Sequence, residues 1–210
     1  MSYLFQDTEQ AARRLQLVAE VFARSSRPFL QAVVGAPPER AVDLGCGPGH
    51  TTRLLAEVTQ CRQAIGLDSS ESFLTQARKN ALAHLSFIRH DVTRVPFPTG
   101  PCDLIFCRLL LTHLQEPLAL LERWGTQLRS QGLLLVEEVE WIRTEHPLLS
   151  QYLEIQAALL RQQANELYIG SMLQQYQVQD GLQRSLSRVY HVPVSTTQAA
   201  TLFAMNLPAW

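Results

Sequence analysis

Residues 41–52, Ala-Val-Asp-Leu-Gly-Cys-Gly-Pro-Gly-His-Thr-Thr, decide the fold. The apolar residues that open this stretch predict a short buried strand, and the three alternating glycines predict a tight turn. Helical periodicity begins directly after the turn, with Leu54, Leu55 and Val58 on one face. A strand, a glycine turn and a helix in this order form a ligand cradle. Glycine lets a ligand approach the backbone, and the helix N-terminus presents unpaired N–H groups to it.

The spacing of the glycines leaves two ligand classes and an empty turn open. A dinucleotide-binding turn has the pattern Gly-x-Gly-x-x-Gly, and its last glycine packs the helix against the strand. Here the pattern is Gly-x-Gly-x-Gly, His50 occupies the place of that last glycine, and Asp43 lies two residues before the turn. A carboxylate so close would repel a pyrophosphate, whereas it suits a positively charged ligand.

The composition indicates one globular domain without a marked charge. The chain has 210 residues, 46% of them hydrophobic, and a net charge of −1. We therefore expect no general attraction to nucleic acid or to anionic membranes. No apolar run approaches a membrane span of about 20 residues, and the first residues lack the pattern of a signal peptide. The four cysteines form no Cys-x-x-Cys pair, which predicts neither a metal site nor disulfides and favours a reducing, cytoplasmic setting.

Acidic residues follow the next two predicted strands. Residues 64–68 predict a second strand that ends in Asp68, about 20 residues after the glycine turn, where a carboxylate can accept hydrogen bonds from both hydroxyls of a ribose. Residues 85–88 predict a third strand, and Asp91 and Val92 follow it. In open α/β sheets, ligands gather outside the carboxyl ends of the strands.

The order of these features resembles that of the motifs in the class I S-adenosylmethionine-dependent methyltransferases. The features are Asp43 with the glycine turn, then Asp68, then Asp91, and then the ends of the fourth and fifth predicted strands. Residues 95–106 (VPFPTGPCDLIF) resemble a passage found in one branch of this family, the methyltransferase type 11/25-like branch that acts on small molecules. The resemblance covers about residues 40–140 and implies S-adenosylmethionine as cofactor and S-adenosylhomocysteine as product. The cofactor-binding residues that it implies are Arg14, Asp43, Gly45, Cys46, Gly47, Asp68, Ser69, Asp91, Val92 and Cys107.

The resemblance also implies roles for some of these residues. Asp91 accepts from the adenine amine, the backbone N–H of Val92 meets a ring nitrogen, and the backbone at Cys107 meets the cofactor's amino group. Arg14 could pair with the cofactor carboxylate, and the alternative is a solvent-facing arginine on a packing helix.

No catalytic residue is assigned from the sequence. His113 and Glu138 are candidates for a general base, but a packed histidine and a solvated acidic rim are the alternatives. A thiol or amine acceptor can react without a base.

These patterns predict an α/β fold with a Rossmann-like doubly wound sheet of strand order 3-2-1-4-5 and an incomplete 7-6 edge. Two N-terminal helices, over residues 7–24 and from Pro28, precede it. Residues 187–194 alternate like the sixth strand, and nothing after Ser195 can supply the seventh. We therefore expect either a truncated chain or an incomplete sheet, whose exposed fifth strand could pair with a second copy in a homodimer. The predicted parts of the single domain are an N-terminal helical segment (1–36), a cofactor-binding core (37–141), a helical cap (147–184), and an edge strand with a last helix (185–210).

The resulting functional hypothesis is methyl transfer to a small molecule, at an O, N, S or C nucleophile. The Asn-Pro-Pro-Tyr type of motif that accompanies methylation of base amino groups is absent after the fourth strand, which disfavours nucleic acid as the substrate. One alternative is a non-catalytic protein or partner subunit that binds the same cofactor. A second is a nicotinamide-dependent oxidoreductase, which the residue at position 50 disfavours.

Overall fold

The computed structural model describes residues 9–79, 81–178 and 181–205. Its strands are β1 (Arg40–Leu44), β2 (Gln63–Asp68), β3 (Leu85–Arg89), β4 (Cys102–Arg108) and β5 (Leu128–Glu137). Its helices are α1 (Glu9–Val33), α2 (His50–Thr59), α3 (Glu71–Lys79), α4 (Pro117–Gly125), α5 (Pro147–Gln162), α6 (Ile169–Gln175) and α7 (Thr196–Ala204), with a 3₁₀ turn at Leu111–His113.

The five strands form one parallel sheet in the order β3-β2-β1-β4-β5, which confirms the predicted central order. Parallel strands are covered by helices on both faces, which is why they appear in the sequence as short continuous apolar runs. Leu30 of α1, Leu55 of α2 and Leu74 of α3 lie in the buried cluster on one face. Trp124 of α4 and Ile169 of α6 lie in the cluster on the other face. The carboxyl ends of all five strands therefore meet at one edge, which carries the predicted site.

Helix α1 corrects the prediction of two N-terminal helices. It is a single helix of 25 residues with Pro28 inside it, and the predicted start at residues 7 and 8 lies outside the described residues. Proline removes one helical hydrogen bond and favours a break. Val21, Ser26 and Leu30 are all buried, so packing on both sides of Pro28 outweighs that local preference.

The predicted sixth strand is also wrong, because residues 187–194 form neither strand nor helix. A strand is stabilised by a ladder of backbone hydrogen bonds, and in the described part of the chain β4 is the only strand that pairs with β5. The segment is held by side chains instead. Arg24 of α1 donates to the carbonyl of Pro193 at 3.2 Å, and Tyr190 packs near Phe29.

The predicted last helix forms as α7, and the predicted end of that helix at Leu207 lies outside the described residues. Ser195 and Gln198 make the reciprocal hydrogen bonds of a capping box at its start. A groove of about 2360 Å³ lies between the outer edge of β5 and residues 182–194, and α1, α5 and α7 also line it.

Candidate active site

The glycine turn joins the carboxyl end of β1 to α2. Gly45 and Gly47 have φ angles of +67° and +50°, which residues with a side chain rarely adopt. The N–H groups of Gly45 and Cys46 both donate to the carbonyl of Leu67, at 2.8 and 3.1 Å, and so tie the turn to β2. Among the described residues, a Cβ atom at position 47 would have only Leu15 of α1 within 4 Å, at 3.5 Å. The backbone at Gly47 therefore borders a narrow space beneath α1.

Asp68 supports this turn from the end of β2. Its carboxylate accepts the N–H of Gly47 through Oδ2 and the N–H of Ser70 through Oδ1, both at 2.8 Å. These bonds orient the carboxylate toward the turn, and each of its oxygens can accept a further hydrogen bond. The arrangement fits a diol that lies against the glycine turn.

Asp43 lies beneath the turn and is 1% exposed. Its Oδ2 accepts the hydroxyl of Thr52 at 2.7 Å, which connects β1 to α2. Burial raises the pKa of Asp43 to about 7, while the Thr52 hydrogen bond and the charge of Arg108 lower it. A cation placed above the turn would favour the ionised carboxylate, so the contribution of Asp43 to a ligand is electrostatic.

Asp91 and Val92 follow the neighbouring strand β3. Oδ1 of Asp91 accepts both the N–H and the hydroxyl of Thr93, at 3.0 and 2.7 Å, and this hydroxyl contact is the main cause of the lowered pKa of Asp91. Val92 is buried, and its carbonyl accepts the indole N–H of Trp124 at 2.8 Å. The segment is therefore fixed from below, and the exposed carboxylate lies at the same sheet edge as Asp68.

The remaining predicted cofactor residues are distributed along this edge. Ser69 is exposed at the end of β2. Cys46 and Cys107 are buried, and burial raises the pKa of both thiols well above their usual value. Both cysteines therefore remain neutral thiols, and only their backbone groups suit the predicted contacts.

Arg14 and His113 both line the groove. Burial and, to a smaller extent, the positive charge of Arg14 lower the pKa of His113 to about 4. His113 is therefore neutral at pH 7, and its low pKa makes it a weak base.

One carboxylate oxygen of Glu138 is occupied by two backbone hydrogen bonds. Its Oε1 accepts the N–H groups of Leu110 and Leu111, both at 2.8 Å, and so caps the 3₁₀ turn after β4. Burial raises the pKa of Glu138 to about 8. A largely protonated carboxyl group at pH 7 that holds two N–H groups is poorly suited to remove a proton from an acceptor.

A buried polar cluster next to this edge escaped the sequence analysis in part. Glu137 accepts the hydroxyls of Ser25 and Ser26 at 2.5 and 2.6 Å, and Arg108 donates to Ser26 at 3.0 Å. The two serines fall in the predicted break between the two N-terminal helices, so the sequence does not indicate their contact with Glu137. Two adjacent serines in an apolar helical pattern were the only local signal.

Other classes of site are not indicated in the described residues. There is no group of three or more His, Cys, Asp or Glu side chains placed to hold a metal ion. All four cysteines are free thiols. Among the helices described, none combines the length and apolar character needed to cross a membrane.

The comparisons with known proteins agree with this geometry. Residues 42–136 match the family model described as "Methyltransferase domain". A trans-aconitate 2-methyltransferase of Azoarcus sp. is 34% identical over 119 residues, which are 57% of this chain and 46% of that protein. The chain spans about half the length of the curated relatives that it matches.

Solved structures share the fold. A chain of the complex between the Haloferax volcanii Trm112 methyltransferase activator and a methyltransferase has a TM-score of 0.53 at 22% identity, covering 62% of this chain and 58% of that chain. The plantazolicin methyltransferase BpumL, solved with S-adenosylhomocysteine, has a TM-score of 0.52 at 15% identity, covering 96% of this chain and 61% of that chain. Together with the sheet order and the glycine turn, the match over residues 42–136 shows that this part of the chain is similar to methyltransferase domains.

Proposed function

We propose that this chain transfers a methyl group from S-adenosylmethionine to a small-molecule acceptor by in-line displacement. The observation that carries the proposal is the Asp68 carboxylate, which is oriented by the N–H of Gly47 at 2.8 Å beside a turn of positive-φ glycines. Asp91, at the end of the adjacent strand, adds a second acceptor on the same edge. Two carboxylates and a bare backbone turn suit the ribose, the adenine amine and the close approach of an adenosyl cofactor.

We assign the predicted residues to three parts of the cofactor, which are the ribose, the adenine and the amino-acid end. Asp68 and Ser69 lie toward the ribose, and Asp91 and Val92 lie toward the adenine. The residues assigned to the amino-acid end are Arg14, Gly45, Cys46, Gly47 and Cys107. Asp43 stabilises the cationic character of the ligand from below without touching it.

When bound, the cofactor supplies a methyl carbon that carries a sulfonium leaving group. The task of the chain is then to align the acceptor and to exclude water, and alignment of reactants can lower a barrier by roughly 7–11 kcal/mol. Glu138 holds two N–H groups and His113 is a weak base. We therefore propose acceptors that react without a strong protein base, such as a carboxylate, a thiolate or an unprotonated amine.

A carboxylate acceptor has the most support within this set. The similar protein from Azoarcus is named a trans-aconitate 2-methyltransferase, and a carboxylate needs no deprotonation at neutral pH. The groove lined by Arg14 and His113 is the proposed acceptor site, with α5 and α6 as its helical cap.

Two further proposals concern the cellular location and the oligomeric state of the protein. We propose a cytoplasmic location, because four free and buried cysteines suit a reducing compartment. A homodimer through the outer edge of β5 is a proposal supported only by the absence of a strand partner there in the described part of the chain.

The direct test is a methyl-transfer assay with radiolabelled S-adenosylmethionine and a panel of carboxylates that includes trans-aconitate, together with thiols and amines. We expect label in at least one acceptor, in proportion to the S-adenosylhomocysteine formed. Cofactor binding without transfer to any member of a broad panel would favour the non-catalytic binding protein, and binding of NAD would favour the oxidoreductase.

A further inference from the structure

The cluster of Ser25, Ser26, Arg108 and Glu137, hereafter the serine–glutamate cluster, joins three elements at the carboxyl edge of the sheet. Both serine hydroxyls donate to Glu137, one to each carboxylate oxygen, at 2.5 and 2.6 Å. Arg108 and Glu137 are neighbours across β4 and β5, and Arg108 donates to Ser26 at 3.0 Å. The cluster therefore attaches the middle of α1 to the ends of β4 and β5.

The members of the cluster depend on one another. Ser25 and Ser26 are 3% and 0% exposed, and a buried hydroxyl that loses its hydrogen bond is destabilising. Burial raises the pKa of Glu137, whereas the two serine hydroxyls and the charge of Arg108 lower it. Oxygen–oxygen distances of 2.5–2.6 Å match charge-assisted hydrogen bonds to an ionised carboxylate. Loss of the hydroxyls would leave a partly buried carboxylate without its shortest contacts.

Because of the position of the cluster along α1, a small tilt of the helix there would displace the residues of α1 that lie over the glycine turn. Leu15 contacts the place that a Cβ of Gly47 would occupy, at 3.5 Å, and it precedes Ser25 by about 15 Å of helix at 1.5 Å per residue. A tilt of about 10° at the cluster would move Leu15 by roughly 2–3 Å. Pro28 lies two residues after Ser26 and removes one helical hydrogen bond close to the cluster.

We propose that Glu137, held by Ser25, Ser26 and Arg108, is a positioning residue that fixes α1 above the glycine turn and thereby sets the affinity for the amino-acid end of the cofactor. This inference rests on the proposed function, because it assigns the space between α1 and Gly47 to that end. It gives the cluster no contact with the reacting atoms. The effect of the cluster passes through Arg14 and Leu15, which lie on the same helix.

The test compares two ligands by calorimetry, S-adenosylhomocysteine and 5′-methylthioadenosine, which retains the adenosine and lacks the amino acid. For Ser25→Ala/Ser26→Ala we expect S-adenosylhomocysteine to bind about tenfold more weakly, the equivalent of roughly one lost hydrogen bond. Binding of 5′-methylthioadenosine should stay within about twofold of the wild-type value. Amide hydrogen exchange should become faster over residues 10–22 and stay unchanged in β1 and β4.

The matched control is Thr75→Ala, which removes an exposed hydroxyl bonded to the carbonyl of Glu71 in the preceding turn of α3. It should change neither affinity. If the double variant does not fold, Ser25→Ala alone and Glu137→Gln provide milder losses of the same contacts.

Equal weakening of both ligands would overturn the inference, because it would indicate general destabilisation. Unchanged affinities with unchanged exchange in α1 would overturn it as well. If the wild-type protein binds neither ligand, the proposed function fails, and faster exchange confined to residues 10–22 in the variant would still show that the cluster holds α1.

Discussion

Gly47→Ala separates backbone strain from loss of the ligand cradle. The φ of +50° at Gly47 is unfavourable for a residue with a side chain, and alanine in this conformation costs about 1–2 kcal/mol. The new Cβ would lie 3.5 Å from Leu15, an ordinary contact, so no clash adds to this cost. The methyl group would, however, occupy the space between the turn and α1.

Gly100→Ala is the matched control. Gly100 has a φ of +66°, and the nearest atom to its Cβ position is on Arg40 at 3.6 Å, so the two variants carry the same strain and similar new contacts. Gly100 precedes β4 and lies at the opposite end of the sheet. We expect urea denaturation to give a loss of about 1–2 kcal/mol of unfolding free energy for both variants.

Calorimetry with S-adenosylhomocysteine should distinguish the two variants. We expect Gly47→Ala to bind at least about tenfold more weakly, which corresponds to about 1.4 kcal/mol, and Gly100→Ala to bind as the wild type. If Gly47→Ala binds normally, or if both variants lose binding equally, the assignment of the glycine turn to the cofactor is refuted.

Three further predictions concern Glu138, Trp124 and Asp91. Burial raises the pKa of Glu138 from 4.5 to about 8, so the native state binds the extra proton, and the unfolding free energy should fall as pH rises from about 5 to 8, by at most about 1.4 kcal/mol per pH unit. Glu138→Gln should flatten this slope in urea titrations at several pH values; an unchanged slope would show that another group causes it. Trp124→Phe removes the indole donor to the Val92 carbonyl at 2.8 Å and leaves a cavity, so we expect a loss of about 2–3 kcal/mol in the same denaturation assay, and a loss below about 0.5 kcal/mol would contradict the contact. Asp91→Asn keeps the shape and removes the charge, so we expect S-adenosylhomocysteine to bind about three- to tenfold more weakly by calorimetry, and an unchanged affinity would remove Asp91 from the adenine site.

The sequence was most informative where local pattern and tertiary environment agree. The strands β1 to β5 were predictable because parallel strands buried on both faces are continuous apolar runs, and the glycine turn requires residues without side chains. Residues 187–194 show the limit of that reasoning. Their alternation is compatible with a strand, but a strand also needs a neighbour, and no local pattern reveals whether one is within reach.

The serine–glutamate cluster shows the same limit for the site. Ser25 and Glu137 are 112 residues apart, so nothing near either residue in the sequence indicates the contact. Glu138 directly follows β5, but its hydrogen bonds to Leu110 and Leu111 depend on how β5 ends beside the turn after β4. The pattern of strand ends predicts which residues lie near the carboxyl edge of the sheet. It does not predict which hydrogen bonds their side chains make.

The central claim is that the turn and Asp68 hold an S-adenosyl ligand rather than a dinucleotide. Calorimetric titration of the wild-type protein and of Asp68→Ala with S-adenosylhomocysteine and with NAD tests it most directly. We expect saturable binding of S-adenosylhomocysteine by the wild type, at least about tenfold weaker binding by Asp68→Ala, and no binding of NAD by either protein. Binding of NAD by the wild type, or equal affinity of both proteins for S-adenosylhomocysteine, would contradict it.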